Sequence, residues 1–136
     1  GEMAEAFEPG DHATTMGGGP VICAAALAVL QVIEEDELVA NAVRVGRYLH
    51  DGLVALSSGH DLAAEVRGRG LLLALQLTGE AAGRVTELAQ ESGLLVNDVN
   101  PSTLRLTPAL IVNEADCDRA LEILDRALAA AGKEQG

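Results

Sequence analysis

The chain has 136 residues, and its 21 acidic against 9 basic side chains give a formal net charge of −12. This acidic balance argues against nucleic acid or an anionic membrane surface as a partner, because both are bound through cationic patches. Hydrophobic residues make up 49% of the sequence but aromatic residues only 1%, so we expect an aliphatic core. The length suits one domain, or a small domain with a piece of another.

The cysteines and histidines form no pattern that is typical of a metal site or a disulfide. Cys23 and Cys117 lack a Cys-x-x-Cys spacing, and each lies in a helical apolar pattern that predicts a small buried side chain. The apolar run at residues 21–33 is too short to span a bilayer, and no secretory signal pattern precedes the chain. We therefore expect a cytoplasmic protein without a bound metal.

The stretch at residues 10–20, G-D-H-A-T-T-M-G-G-G-P, is the first candidate site. Proline is favoured in the first turn of a helix, so Pro20 predicts that this loop ends on a helix N-terminus, where anions are stabilised. Glycines let backbone N–H groups approach a phosphate closely, and the hydroxyls of Thr14 and Thr15 can donate to the same oxygens. A tight turn without a ligand is the alternative that stays open.

The apolar periodicity predicts two helices in the first half of the chain. The first covers residues 20–34 and is apolar all round, which predicts burial on every side. The acidic residues at 34–37 are unfavourable at the C-terminal end of a helix, so we end the first helix at residue 34. We expect Asp36 to cap the second helix, residues 37–56. That helix carries one apolar stripe at spacings of three and four: Leu38, Ala42, Val45, Leu49, Leu53 and Leu56.

The pattern then alternates between strands and helices. Strands are predicted at residues 62–66, 71–77, 94–98 and 104–107. A helix at 80–92 is expected to carry a Glu80–Arg84 pair and to stop at Gly93. The last helix begins after Asn113, with Asp116 in capping-box-like spacing, and is expected to end at Gly132. This order predicts an α/β (α+β) fold, a small and mainly antiparallel sheet with helices on one face.

Three stretches resemble the class III aminotransferases, which depend on pyridoxal phosphate, and most of all their acetylornithine and ornithine type. They are residues 10–30, E-V-R-G-R-G-L-L-L-A-L at 65–75, and G-L-L-V-N with L-R-L-T-P-A-L at 93–110. The resemblance implies the C-terminal portion of a fold-type-I transferase. Residues 1–35 would be the end of the large cofactor-binding domain, and residues 36–136 the C-terminal small domain.

The resemblance also implies roles for individual residues. Thr15 would bind the phosphate of pyridoxal 5′-phosphate across a homodimer interface, in the neighbouring subunit's active site. Thr14 would lie near the substrate, although a locally bonded hydroxyl stays open. Gly19 stands where the family usually carries Asn.

Arg105 lies within a short apolar strand, where a charged group needs a partner. A structural ion pair and a bidentate clamp on a substrate carboxylate are both possible for a planar guanidinium, and the resemblance favours the clamp. For Arg67 and Arg69 we favour structural roles, with a place at the edge of the site as the alternative. For Asn97 we favour a turn-facing amide, with a cleft-lining side chain as the alternative, and for His12 a loop-bracing side chain instead of a catalytic base.

Lys133 is the only lysine, four residues from the end of the sequence. A Schiff-base lysine needs a protected pocket that lowers its pKa, so the resemblance implies that this lysine lies upstream and that no catalytic residue lies in the chain.

The implied reaction is the transfer of the δ-amino group of N-acetylornithine to 2-oxoglutarate in arginine biosynthesis. Two alternatives stay open. One is another class III transaminase, acting on ornithine, succinylornithine or 4-aminobutyrate. The other is a non-catalytic α/β module for dimerisation or regulation.

Overall fold

A computed structural model of the chain describes Ala6, Thr15 and residues 17–135. Within this part of the chain, four α-helices and four strands follow one another in the order α-α-β-β-α-β-β-α, which confirms the predicted order. They belong to two compact units, Gly1–Asp36 and Glu37–Gly136. Thr14 and His12 lie outside the described residues.

The described part of the first unit is mainly one helix, α1 (Pro20–Glu35), with Pro20 in its first turn as predicted. None of its residues is buried in this chain, and Val21 is 80% and Leu27 60% exposed. The burial on every side that the apolar pattern predicts is therefore not seen in this chain. Cys23 of this helix is exposed, contrary to the prediction.

The junction between the first two helices differs from the prediction in its cap. Asp36 is the C-cap of α1 and donates its backbone N–H to the carbonyl of Val32. Glu37 is the N-cap of α2 (Leu38–Ser57), with a left-handed φ of 50°. Asp36 stays in the hydrogen-bond ladder of α1, and α2 begins at Leu38, one residue later than we expected.

The second unit contains a four-stranded sheet, formed by β1 (Ala63–Arg69), β2 (Leu72–Leu77), β3 (Asn97–Asn100) and β4 (Thr103–Leu106). The strand order is β1-β2-β4-β3, and every neighbouring pair is antiparallel. The remaining helices are α3 (Ala82–Glu91) and α4 (Glu114–Gln135).

Two strands differ from the sequence-based prediction. Residues 67–69 pair with β2 instead of forming a connection, so β1 is longer than predicted and a two-residue turn at Gly70, with φ of 56°, closes the hairpin. β3 begins at Asn97, three residues later than predicted, since Leu94, Leu95 and Val96 have no ladder partner on β4.

The sheet has one buried face and one open face, as the fold class predicts. Alternate residues of β2, namely Leu73, Leu75 and Leu77, are at most 3% exposed. They pack in one core with the part of the predicted α2 stripe from Ala42 to Leu56 and with apolar residues of α3 and α4. The opposite face carries Arg67 and Arg105. Both residues pair with Ala74 of β2, Arg67 from β1 and Arg105 from β4.

α2 lies against the β1–β2 hairpin at a pair of glycines. A Cβ atom at Gly46 would lie 2.3 Å from the carbonyl carbon of Gly70, which is closer than two carbon atoms can approach. The close contact therefore requires glycine at position 46, and it fixes the hairpin on the helix.

The helix ends in the second half follow the prediction in part. Gly93, with φ of 86°, follows α3 as expected. At the start of α4, Asn113 and Asp116 exchange side-chain to backbone hydrogen bonds of 3.0 and 3.2 Å, which confirms the capping box. The predicted stop at Gly132 is wrong, since this glycine does not adopt positive φ and α4 continues through it.

The predicted Glu80–Arg84 pair is absent from the ion pairs of the described residues. α3 begins at Ala82, so Glu80 precedes the helix and the i,i+4 geometry does not arise. Arg84 instead makes a two-pronged bond of 2.9 Å to Glu134 of α4 and a bond of 3.1 Å to Glu87. The hydrogen bond from Arg84 lowers the pKa of the Glu134 carboxyl.

Candidate functional site

The first candidate site is the N-terminal end of α1 with the loop before it. Thr15 is exposed, and Gly18 adopts φ of 80° with open space where a Cβ would lie. Gly19 is the N-cap in an extended conformation and makes no side-chain capping bond. The first turn carries no acidic residue, so no side-chain charge within α1 offsets the positive end of its dipole.

This arrangement fits a phosphate group. The first backbone N–H groups of a helix have no partner inside the helix, and Gly19 replaces a capping side chain that would otherwise occupy them. An exposed hydroxyl at Thr15 adds a further donor. Such a donor set is of a kind that can bind a phosphate group.

The second candidate site surrounds Arg105 on β4. Its backbone is held from both sides, since it pairs with Ala74 on β2 and with Asn97 on β3. Its side chain is exposed, and among the described residues no carboxylate lies within ion-pair distance of it. The structural ion pair that stayed open in the sequence is therefore not seen in this part of the chain.

Arg105 borders a cavity of about 230 Å³. Most of its lining is aliphatic, contributed by α2, the segment before β3, the segment after β4, and α4; it includes Leu49, Leu94, Val96, Leu106, Val112 and Ala120. Asn97 and Asp116 are polar residues of the same lining. Arg105 alternates along β4 with the buried Leu104 and Leu106, so its side chain lies on the uncovered sheet face and not among the aliphatic walls of this cavity.

Arg67 and Arg69 lie beside Arg105 around a second, more open depression of about 400 Å³ on the uncovered sheet face. Leu72, which is 60% exposed, and Val99 share this face. Three arginines thus gather on one surface of a chain whose net charge is strongly negative. The sequence placed Arg67 and Arg69 near the turn but did not show that the sheet joins them to Arg105.

A polar network between α2 and α4 was not predicted. Asn41 and Arg44 of α2 bind the segment before α4 and its first residue, Glu114. Tyr48 donates a hydrogen bond of 2.6 Å to Asp118, and this bond raises the pKa of the phenol. The sequence carried one sign of this network: Asn41 lies inside a predicted helix, although asparagine has a low helix propensity.

Cys117 is buried, as the sequence predicts, and Lys133 is exposed. Cys117 is 2% exposed beside the cavity, and burial raises the pKa of its thiol, which makes it a poor nucleophile. Lys133 is exposed in the last turn of α4.

In the described ranges, no three His, Cys, Asp or Glu side chains come close enough together to bind a metal ion. None of the described helices combines the length and the hydropathy needed to span a membrane.

Comparison with known sequences places these features in a family. The family "Aminotransferase class-III" matches residues 1–128. The chain is 46% identical, over 96% of its length, to an acetylornithine aminotransferase from Mycobacterium tuberculosis. It is 42% identical, over 90% of its length, to an acetylornithine aminotransferase from Caldanaerobacter subterraneus. It spans 33% and 31% of these two relatives.

Solved structures agree with this assignment. An acetylornithine aminotransferase from Elizabethkingia anophelis superposes with a TM-score of 0.83 at 28% identity, over 93% of this chain and 34% of that one. The ornithine delta-aminotransferase of Plasmodium falciparum superposes with a TM-score of 0.85 at 28% identity, over 94% and 34%. The sequence match over nearly all residues and the shared fold show that this chain belongs to the class III aminotransferases.

Proposed function

We propose that this chain is the C-terminal part of a pyridoxal-phosphate-dependent acetylornithine aminotransferase. The observation that carries the proposal is the 42–46% identity to enzymes of that name over at least 90% of the chain. The reaction would transfer the δ-amino group of N-acetylornithine to 2-oxoglutarate, as a cytoplasmic step of arginine biosynthesis.

Arg105 would hold the carboxylate of the amino-acid or keto-acid substrate. Its exposed guanidinium has no carboxylate partner among the described residues, and it lies with Arg67 on the uncovered face of the sheet. A planar guanidinium binds a carboxylate through two parallel, charge-assisted hydrogen bonds. The role of Arg105 would be to orient the substrate.

Thr15 would bind the phosphate of the cofactor, together with the uncapped N-terminus of α1. In the proposed homodimer this phosphate belongs to the neighbouring subunit's active site, and Thr14 would lie near the substrate there. The bound cofactor would supply the electron sink that lets the amino group move between substrates. The lysine that anchors it would lie outside these residues, because Lys133 is exposed on the last turn of α4.

Another class III transaminase is the second candidate. The observation that favours it is structural: this chain superposes on an ornithine delta-aminotransferase with a TM-score of 0.85 and on an acetylornithine aminotransferase with 0.83, both at 28% identity. A panel of N-acetylornithine, ornithine, succinylornithine and 4-aminobutyrate on the complete enzyme separates these substrates. A non-catalytic module would give no transamination with any of them.

The role of Arg105 is tested by Arg105→Gln in the complete enzyme. Losing two charge-assisted hydrogen bonds should raise KM for 2-oxoglutarate about 100-fold. The matched control is Arg126→Gln, since Arg126 is an exposed arginine of α4 that lines none of the described cavities. Equal KM values for the two variants would contradict the proposed role.

A further inference from the structure

The middle of β2 carries one small side chain on the uncovered face of the sheet. The strand reads L-L-A-L-Q-L, and its buried leucines alternate with Leu72, Ala74 and Gln76. These three residues therefore lie on the uncovered face. Alanine is depleted in strands, where branched side chains are favoured. Ala74 thus forms a low point between two longer side chains along the strand.

Two arginines flank Ala74 across the strands. Arg67 of β1 and Arg105 of β4 both pair with Ala74 in the antiparallel register, so all three lie on the same face. Neighbouring strands are about 4.8 Å apart, which separates the Cα atoms of the two arginines by about 10 Å. The residue between them in this row is Ala74, whose side chain is a single methyl group. We call the gap between Arg67 and Arg105 above Ala74 the notch.

The next side chain along β2 is held away from the notch. The Nε2 atom of Gln76 donates a hydrogen bond of 2.8 Å to the carbonyl of Ser102, and its Oε1 atom accepts one of 2.8 Å from Thr103. Both partners lie on the side of Gln76 away from the row of Ala74, because β2 and β4 are antiparallel. The notch therefore stays open toward the depression of about 400 Å³ on this face, which Ala74 and both arginines line.

The two arginines give the notch a positive charge. Both residues are exposed, and among the described residues neither has a carboxylate within ion-pair distance. A carboxylate bound side-on to the guanidinium of Arg105 needs room for both of its oxygens. Arg67 attracts the same group from across the notch, whereas a longer side chain at position 74 would occupy that room.

We propose that Ala74 is a specificity-determining residue for carboxylate substrates, because its small side chain leaves the space in which a carboxylate reaches Arg105. The inference rests on the proposed function, in which Arg105 holds that carboxylate. The methyl group of Ala74 forms the floor of the notch. Each carbon atom added to it displaces the carboxylate from the guanidinium.

The test is a size series at position 74 of the complete enzyme, with 2-oxoglutarate as the varied substrate. Ala74→Val and Ala74→Leu fill the notch progressively, and should raise KM about tenfold and about 30-fold, with kcat changed less than about twofold. Ala74→Gly keeps the notch open and should keep KM within about twofold of its original value. Valine favours strands more than alanine does, so Ala74→Val should not lower Tm while KM rises. A purely structural role of Ala74 would not separate KM from Tm in this way.

The matched control is Ala64→Leu. Ala64 is an exposed alanine of β1 that lines none of the described cavities. The same increase in side-chain size at this position should leave KM unchanged. If Ala74→Leu does not fold, Ala74→Val carries the comparison.

A double-mutant cycle separates the inference from the function on which it rests. With Arg105→Gln present, Ala74→Val should add no further increase in KM, because the guanidinium that the carboxylate must reach is gone. An unchanged KM in Arg105→Gln alone would overturn the proposed function. A normal KM in Ala74→Val with a sensitive Arg105, additive effects of the two changes, or an equal rise in Ala64→Leu would overturn the role of Ala74.

Discussion

α1 and α2 are neighbouring helices rich in aliphatic residues, but only α2 builds a core. α2 buries Leu38, Val45, Leu49 and Leu53 on one stripe, whereas no residue of α1 is buried in this chain. The difference lies in distribution, since α2 combines its apolar stripe with a polar face and α1 is apolar in all directions. A helix with one apolar stripe can bury that stripe against a single sheet, but a helix that is apolar on all sides is buried only when neighbours surround it.

The largest expected effect comes from the core of the second unit. Leu75 is 0% exposed at the centre of β2, so Leu75→Ala should lower the free energy of unfolding by about 2–5 kcal/mol through lost burial and a cavity. Urea unfolding of the 136-residue chain, followed by circular dichroism, measures it. The control is Leu27→Ala in α1, which is 60% exposed and should change stability by less than about 0.5 kcal/mol. Similar losses would show that α1 is packed.

A smaller effect is expected where α2 meets the hairpin. Gly46→Ala would place a methyl group 2.3 Å from the backbone of Gly70, and this overlap should cost about 1–3 kcal/mol. Gly83 of α3 is the matched glycine, because its added Cβ would meet nothing closer than 3.7 Å. Gly83→Ala should stabilise by about 0.5–1 kcal/mol, since alanine loses less backbone entropy. If both changes were neutral in urea unfolding, the close contact would be wrong.

Local patterns in the sequence predicted the elements whose causes are local. The stripe of α2, the stop at Gly93 and the capping box of Asn113 and Asp116 each depend on residues a few positions apart, and each was confirmed. The pairing of Arg84 with Glu134 was missed, because it joins residues 50 positions apart. Local spacing favoured Glu80, which lies before the helix.

The candidate sites likewise contain residues that the sequence identified and contacts between distant residues that it did not. Thr15 and Arg105 were identified by resemblance, and their roles remain proposals. The contact of Asn41 with the segment before α4 spans 69 to 71 positions, and the row from Arg67 to Arg105 exists only because β2 lies between their strands. Such arrangements depend on strand order, which the periodicity of a single sequence does not determine.

The most direct test of the central claim, that the loop before α1 binds the phosphate of the cofactor, is a crystal structure of the complete enzyme with pyridoxal 5′-phosphate. We expect Oγ1 of Thr15 about 2.7 Å from a phosphate oxygen in the neighbouring subunit's active site, a normal hydrogen-bond length for a hydroxyl donor. A phosphate bound out of reach of both Thr15 and the N-terminus of α1 would contradict the account.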